Sequence, residues 1–230
     1  MIISLIHKMK IMFLAMMMAR LSIAFVLPLA LQQRYISSRL LLSQQTDGIM
    51  NMPEPSPTSA AYSLYHLIHQ NRMNNNRNAI PLAGVYDALS AKVFAQNGSP
   101  ALFLSGFGVS ASLLGLPDAG MTTLTEMEQV ARNICSIVRS PECQRLSNHP
   151  PPVIIDGDTG YGGASNMLRT ISSLGSAGAS AISIEDQQFP KKCTIAAGSK
   201  IQIVDRDEAI ERIRGAIGAR NLYNERYQSD

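Results

Sequence analysis

Two aspartates separated by one glycine form the sharpest chemical motif in this sequence. Asp156 and Asp158 follow the apolar run PPVII and precede Thr-Gly-Tyr-Gly-Gly, so the chain around them can turn tightly and approach a ligand closely. Two carboxylates at such a point offer the hard oxygen ligands that Mg²⁺ prefers, together with several waters. The alternative is that both aspartates only form turns and cap a helix.

A third carboxylate ends the next apolar run. Glu185 lies near the end of ASAISIED, and in parallel α/β folds the carboxyl ends of the strands meet at one face. Glu185 would then lie beside Asp156 and Asp158, where like charges repel unless a cation is present. The alternative is a surface ion pair with Lys191 or Lys192.

Two further segments carry groups that could do chemistry. The loop from Ser105 to Gly108 could present backbone N–H groups and a hydroxyl to a carboxylate or phosphate, or it is a plain turn. In Lys191-Lys192-Cys193, a thiol beside two cations could have a lowered pKa and act as an acid, base or nucleophile. An ordinary loop with an exposed cysteine is the alternative reading of that segment.

The elements that must position these residues alternate regularly from residue 80 onward. Four continuous apolar runs, IPLAGVY, ALFLSG, PPVIID and ASAISIED, are each followed by a segment with helical apolar spacing. Continuous apolar strands indicate a parallel sheet covered on both faces, either a (β/α)₈ barrel or an open doubly wound sheet. The first strand is not followed by G-x-G-x-x-G, which disfavours a dinucleotide-binding fold.

Capping patterns predict where two of the helices begin. Thr123 with Glu126 can form a capping box, and Asp205 with Glu208 can form another. The last helix is predicted over residues 205–219, followed by a polar tail. Its buried stripe is expected to consist of three isoleucines, Ile210, Ile213 and Ile217.

Composition excludes several protein classes. The 230 residues are 46% hydrophobic, which excludes a disordered chain, and three cysteines exclude a disulfide-dense scaffold. Residues 1–46 contain five basic residues and no acid, whereas the remainder contains 15 basic and 17 acidic residues. The body is therefore not basic, and we expect no nucleic-acid partner. The four histidines lie in the leader, the linker or a proline-rich loop, so we expect no histidine triad.

The leading residues are typical of a targeting presequence. A basic start and an apolar stretch resemble a signal peptide, and the Arg- and Ser-rich segment after them resembles a transit peptide, so residues 1–46 predict a plastid or mitochondrial destination. A membrane anchor is the alternative, and after processing we expect no stable membrane insertion. Residues 47–79, with PEPSP and NRMNNNRN, are predicted to be a disordered linker.

Four ordered motifs resemble the isocitrate lyase / phosphoenolpyruvate mutase superfamily. They are GVYDALSAKVF, LFLSGFGVSASLLGLPDAGMTTLTE, IIDGDTGYGG and ISIEDQQFPKKC. The resemblance implies a (β/α)₈ TIM barrel and a Mg²⁺-dependent lyase that cleaves a C–C bond next to a 2-oxo acid through an enolate. It also implies a small 2-oxo acid or dicarboxylate substrate and a homo-oligomer.

The resemblance assigns roles to individual residues. It places Asp156, Asp158 and Glu185 at the metal, directly or through water. Catalytic roles would fall to Cys193 as acid/base, with Asp118 and Lys192. The substrate would be bound by the side chain of Tyr86 and by the loop residues Ser105, Gly106 and Phe107.

Two departures from the superfamily pattern shape the expected reaction. Isocitrate and methylisocitrate lyases read K-K-C-G-H where this chain reads Lys191-Lys192-Cys193-Thr194-Ile195. The reaction expected from the resemblance is therefore left open between a methylisocitrate or isocitrate lyase-like cleavage, which this difference disfavours, and a related lyase, decarboxylase or hydrolase acting on an oxaloacetate-like or substituted malate substrate. Cys193 disfavours P–C chemistry. Residues 80–230 are expected to form only the first four βα units of a C-terminally truncated barrel. A catalytically silent fragment and a binding module without chemistry are therefore kept as alternatives.

Overall fold

A computed structural model describes residues 54–73, 79–144, 149–193 and 201–227, all of which belong to one compact unit, Glu54–Asp230. The presequence predicted for residues 1–46 lies outside the described residues, as do Thr194 and Ile195. Within the described ranges, no helix combines the length and the apolar character needed to cross a membrane.

Strands and helices alternate along the chain as predicted. In chain order the elements are α1 (Tyr62–Met73), β1 (Leu82–Val85), α2 (Ala88–Gln96), β2 (Ala101–Leu104), α3 (Gly106–Val109), a π-helix (Ser110–Leu114), α4 (Leu124–Val138), β3 (Val153–Asp156), α5 (Ala164–Ser176), β4 (Ala181–Ser183) and α6 (Arg206–Tyr227). Among the described residues, the four strands form one sheet in the order β1-β2-β3-β4, and every pair is parallel. The predicted parallel α/β fold is confirmed.

The two faces of the sheet are covered differently. Val85, Leu104 and Ile155 point to the helix side and are fully buried in the main core, to which α2 and α4 also contribute buried residues. On the other face, the strand register aligns Phe103 with Ile154, and both are only partly buried. The sheet therefore has one complete hydrophobic core and one apolar face that is not fully covered by the described residues.

Local sequence signals determine where the helices start. Thr123 and Glu126 form the predicted capping box at the start of α4, with reciprocal hydrogen bonds between side chains and backbone. Asp205 accepts from the N–H of Glu208 at 2.9 Å, but the Glu208 carboxylate pairs with Arg212 at 3.0 Å. The second box is thus only half formed, because an arginine one turn further along the helix attracts the glutamate.

The last helix differs from its prediction in length and in burial. α6 continues to Tyr227, so most of the predicted polar tail is helical. Ile213 and Ile217 are 46% and 44% exposed, so the predicted buried stripe is wrong. α6 packs on α5 through other positions, with Tyr223 against Gly175 and Ala219 in a small second core. Ile213 lines a pocket with Ile184, Ile201 and Ile203, where its side chain is left half exposed.

Part of the segment predicted to be a disordered linker is helical. Residues 62–73 within the 47–79 segment form α1, although none of its residues is buried. The rings of Tyr62 and His66 lie 4.2 Å apart, and His66 Nε2 lies 2.8 Å from Oε1 of Glu54. The helix is thus accompanied by contacts between aromatic rings that lie one turn apart, as side chains at positions i and i+4 do.

Candidate functional site

The carboxyl ends of β3 and β4 bring the predicted metal-site residues together. Asp156 is the last residue of β3 and pairs in register with Ser183, the last residue of β4. Asp158 lies two residues after Asp156, and the N–H of Glu185 donates to the Asp158 carbonyl at 2.8 Å. The parallel register thus places the three predicted metal ligands at one edge of the sheet.

Backbone N–H groups hold the Asp156 carboxylate on both oxygens. Oδ1 accepts from the N–H of Asp158 at 3.0 Å, and Oδ2 accepts from the N–H of Gly106 at 3.2 Å. A Cβ on residue 106 would lie only 2.9 Å from that Oδ2, so the close approach requires glycine. Asp158 itself has a positive φ of 52°, and its Oδ1 accepts from the N–H of Thr159 at 2.7 Å.

The ammonium of Lys191 lies among three carboxylates. Its Nζ is 3.1 Å from Oδ1 of Asp118, 3.1 Å from Oδ2 of Asp158 and 3.6 Å from Oε1 of Glu185. The Lys191 side chain is only 4% exposed. Asp118 lies between the π-helix and α4, so one nitrogen joins the loop after β2 to the ends of β3 and β4. The ion pair between Lys191 and Glu185 that was considered from the sequence exists, with Lys191 buried and Glu185 partly exposed.

Burial and the neighbouring charges shift the pKa values of the groups in this cluster. Burial raises the pKa of Asp156 more than its hydrogen bonds and Lys191 lower it. Burial also raises the pKa of Glu185, and Asp156, Asp158 and Asp118 add to the rise while Lys191 opposes it. Burial lowers the pKa of Lys191, but the carboxylates outweigh it and the net shift is upward. The cluster is therefore short of positive charge.

The loop after β2 uses its polar groups within the fold. The N–H of Gly106 is engaged by Asp156, and the hydroxyl oxygen of Ser105 accepts from the N–H of Gly108 at 3.3 Å. A Cβ at Gly108 would lie 2.7 Å from Cβ of Tyr86, which brings Tyr86 against this loop. Phe107 is half-buried in the same turn. The predicted substrate-binding residues are thus adjacent, and their substrate contacts stay predictions.

The two remaining predicted residues, Lys192 and Cys193, differ in burial. Cys193 is 6% exposed and carries a free thiol. The Lys192 side chain is exposed, whereas its backbone N–H donates to Oε1 of the buried Gln187 at 3.2 Å. The structure therefore brings Lys191, rather than Lys192, among the carboxylates, and the catalytic role predicted for Lys192 stays a prediction.

Two site residues were not assigned roles from the sequence. Tyr161 has a positive φ of 56°, and burial raises the pKa of its hydroxyl, with further rises from Asp158, Asp156, Asp118 and Glu126. Arg212 on α6 donates to the carbonyls of Glu185 at 2.7 Å and Gln187 at 3.1 Å. The only signal for Tyr161 was its place in the glycine-rich motif after Asp158, and Arg212 had no signal because its partners are carbonyl oxygens.

The donor set fits a hard divalent cation in its chemistry. Carboxylate oxygens at one edge of the sheet come from Asp118, Asp156, Asp158 and Glu185. Three of these carboxylates already surround a positive charge, the ammonium of Lys191. In the described ranges, no three acidic, histidine or cysteine side chains are placed so that they could all ligate one ion. A divalent cation at this place would therefore be coordinated partly through water, or only after the side chains around Lys191 rearrange.

Comparison with known proteins assigns this chain to a family. The phosphoenolpyruvate phosphomutase family profile matches residues 70–224. A chloroplastic carboxyvinyl-carboxyphosphonate phosphorylmutase of Arabidopsis thaliana is 37% identical over 171 residues, covering 73% of this chain and 45% of that protein. The 2,3-dimethylmalate lyase of Eubacterium barkeri is 39% identical over 137 residues, covering 60% of this chain and 43% of the lyase.

Solved structures give the same picture. Oxaloacetate acetylhydrolase bound to 3,3-difluorooxalacetate superposes with a TM-score of 0.59 at 34% identity, covering 74% of this chain and 51% of that one. Phosphonopyruvate hydrolase with oxalate and Mg²⁺ superposes with a TM-score of 0.54 at 26% identity, covering 72% and 48%. The chain thus spans about half the length of the relatives that it matches.

Proposed function

Because this chain belongs to the phosphoenolpyruvate mutase / isocitrate lyase superfamily of TIM-barrel enzymes, we propose that it serves the Mg²⁺-dependent cleavage of a C–C bond next to a 2-oxo acid. The observation that carries the proposal is the convergence of four carboxylates at the carboxyl ends of the strands. These carboxylates come from three segments: Asp118 from the loop after β2, Asp156 and Asp158 from the end of β3, and Glu185 from the end of β4. Three of the four meet at one buried ammonium.

The residues of the site would divide the work between binding and charge. Asp156, Asp158 and Glu185, with Asp118 beside them, would hold Mg²⁺ directly or through water. When bound, the ion would supply positive charge to an oxygen on which negative charge develops. The N–H groups of Gly106 and Asp158 orient the Asp156 carboxylate, so its position is fixed before any ligand arrives.

Substrate binding is proposed for the loop after β2. The short helix α3 begins there, with Ser105 as its N-cap and Gly106 and Phe107 in its first turn. Tyr86 packs against Gly108 of the same helix. A substrate carboxylate could take over the N–H of Gly106 only if Asp156 Oδ2 released it. The Ser105 hydroxyl can donate its hydrogen to a substrate, because its oxygen acts as the acceptor in the contact with Gly108.

Cys193 favours a carbon–carbon lyase over a phosphomutase. In the lyases of this superfamily, the cysteine of the corresponding motif acts as acid/base on the departing carbon acid, and Cys193 matches that position. The side chain of Cys193 is buried, and Cys193 lies two residues after Lys191, whose ammonium is in the carboxylate cluster. An oxaloacetate-like or substituted malate substrate is proposed because the relatives include a 2,3-dimethylmalate lyase and an oxaloacetate acetylhydrolase.

The test measures release of a 2-oxo acid by the 230-residue chain. Purified protein is incubated with malate- and citrate-like substrates, with Mg²⁺ and with a chelator, and the product is quantified. We expect Mg²⁺-dependent product from the wild type and none from Asp156→Ala/Asp158→Ala. The matched control is Asp186→Ala/Asp207→Ala, which removes two exposed aspartates. Turnover retained by the first pair would refute the proposal.

Two other hypotheses make different predictions in the same experiments. A catalytically silent fragment would give no product and, if it folds poorly, no cooperative thermal transition by far-UV circular dichroism. A binding module would bind a dicarboxylate in a titration with Mg²⁺ yet release no product. Activity together with a sharp transition supports the lyase against both.

We propose further that the protein assembles as a homo-oligomer in a plastid or mitochondrion. Exposed apolar side chains at Ile203, Ile213 and Ile217 support assembly. The pattern of residues 1–46 and the chloroplastic relative support the location. Light scattering after size exclusion tests the first, and a fusion of residues 1–46 to a fluorescent protein tests the second.

A further inference from the structure

A side chain from α6 donates hydrogen bonds to the backbone just after β4. Nη1 of Arg212 donates to the carbonyl of Glu185 at 2.7 Å and to that of Gln187 at 3.1 Å. The paired register of β3 and β4 ends at Ser183, so donors for these two carbonyls must come from elsewhere in the fold. The guanidinium of Arg212 supplies them.

The guanidinium is itself held in place. The Arg212 side chain is only 15% exposed, and its Nη2 lies 3.0 Å from Oε1 of Glu208, one turn earlier on α6. A guanidinium is a rigid planar fork, so anchoring it at one nitrogen aims its other N–H groups in a defined direction. α6 is in turn packed on α5, where Tyr223 lies against Gly175. Arg212 therefore connects a packed helix to the segment after β4.

Glu185 is held through both of its backbone polar groups. Its N–H donates to the carbonyl of Asp158 at 2.8 Å, and its carbonyl accepts from Arg212. These two contacts lie on either side of the Cα of Glu185, so together they set the direction in which its side chain leaves the backbone. The position of a proposed metal ligand thus depends on a residue of α6 that lies outside the carboxylate cluster.

The segment that Arg212 holds also reaches the residue before Cys193. The side chain of Gln187 is buried, with Nε2 at 3.4 Å from Oε2 of Glu185 and Oε1 accepting from the N–H of Lys192 at 3.2 Å. This amide joins the Glu185 carboxylate to the backbone next to the proposed acid/base. Displacement of the Gln187 backbone would therefore disturb both ends of the link.

We propose that Arg212 is a positioning residue of the site, and that its hydrogen bonds to the segment after β4 strengthen Mg²⁺ binding by orienting Glu185. This inference rests on the proposed function, because that function gives Glu185 to Mg²⁺. A guanidinium has no acceptor atom and cannot ligate a cation, so Arg212 acts through the carbonyl oxygens that it holds.

Calorimetric titration of the 230-residue chain with Mg²⁺ tests this role. Arg212→Met keeps an apolar stem and removes the N–H donors, so the affinity for Mg²⁺ should fall by about tenfold. Arg212→Lys restores a cationic donor and should recover part of that loss. Arg214→Met is the matched control, because Arg214 is 70% exposed and pairs with Glu211 on the same helix. An affinity in Arg212→Met equal to that of Arg214→Met would overturn the inference.

Urea unfolding distinguishes positioning from a purely structural role. The Mg²⁺ affinities are compared under conditions in which each variant is fully folded. A variant of Arg212 that is less stable than the wild type yet binds Mg²⁺ equally well would contradict positioning. If Arg212→Met fails to fold, Arg212→Gln takes its place, because its shorter, neutral amide should also bind Mg²⁺ several-fold more weakly. Wild-type affinity in that variant would likewise contradict the proposal.

Hydrogen exchange provides a measurement that needs no metal. In Arg212→Met, the N–H of Glu185 should exchange several-fold faster than in the wild type, because its backbone is then held on one side only. The matched amide is the N–H of Gly106, which donates to Asp156 in the same site and should exchange as in the wild type. Equal acceleration at both amides, or none at Glu185, would contradict a local effect of Arg212.

These measurements separate the inference from the proposed function. Mg²⁺ binding to the wild type that is unchanged in Arg212→Met refutes the inference and leaves the lyase proposal intact. Mg²⁺ binding that depends on Arg212, without release of a 2-oxo acid, supports the inference and contradicts the lyase. Absence of Mg²⁺ binding to the folded wild type refutes both.

Discussion

Gly106 and Asp156 approach each other so closely that residue 106 cannot carry a side chain without displacing the carboxylate. The glycine N–H donates to Oδ2 of Asp156 at 3.2 Å, and a Cβ would lie 2.9 Å from that oxygen. Two strand ends are thereby joined through one hydrogen bond, and the orientation of a proposed metal ligand depends on an atom that is missing from glycine.

Gly106→Ala should therefore disturb both stability and metal binding. The added methyl group should cost about 1–3 kcal/mol, as overpacking does, and should weaken Mg²⁺ binding by about tenfold through the displaced carboxylate. Urea unfolding and calorimetric titration measure the two effects. Gly84→Ala is the control, because a Cβ there meets nothing within 4 Å and should change stability by about 0.5 kcal/mol or less. Equal behaviour of the two variants would contradict the close contact.

The capping box of α4 should make stability depend on acid. Hydrogen bonds from the Thr123 backbone and side chain lower the pKa of Glu126, so its stabilising effect is present above the unfolded-state pKa and is lost as the pH falls through the folded-state value. Glu126→Ala should be less stable than the wild type at neutral pH, and the difference should close below about pH 4. Glu128→Ala, which removes an exposed pair with Arg132, should show a smaller difference.

The buried thiol of Cys135 predicts the opposite pH dependence. Burial raises its pKa from 9.0 to about 11, with Arg139 opposing the shift. Because the folded thiol holds its proton more tightly, its contribution is complete below the unfolded-state pKa and is lost as the pH rises through 11. Relative to Cys135→Ala, the wild type should lose about 1.4 kcal/mol between pH 8 and pH 10. Parallel pH profiles in urea unfolding would refute this.

Two isoleucines should respond differently to truncation. Ile134 on α4 is fully buried, whereas Ile213 on α6 is 46% exposed. Ile134→Ala should cost about 2–5 kcal/mol, and Ile213→Ala should cost about 0.5 kcal/mol or less. Chemical denaturation at low protein concentration measures both. A large cost at Ile213 would mean that this face is covered in solution.

The order of elements could be predicted because each strand is a continuous apolar run and each helix has an apolar stripe. β1 to β4 lie inside the predicted runs, and α4 begins at its predicted capping box. The burial of Ile213 and Ile217 could not be predicted, because periodicity shows which side of a helix is apolar and not whether anything packs against it.

The strand-end carboxylates were also predictable, because parallel strands place their carboxyl ends at one face. The choice between Lys191 and Lys192 was not, because neighbouring residues in an irregular segment have no periodicity to indicate their direction. The structure buries the first and exposes the second. The contact between Gly106 and Asp156 joins residues 50 positions apart, which no local pattern encodes.

The long separation along the chain between the partners of this site has a consequence for folding. Gly106 and Asp156 are 50 residues apart, and Asp158 and Lys191 are 33 apart. Closing loops of this length costs conformational entropy that local contacts do not repay, so such contacts form late, after the strands have aligned. The carboxylate cluster is therefore a marker of completed folding: partly folded molecules would have helices but no site.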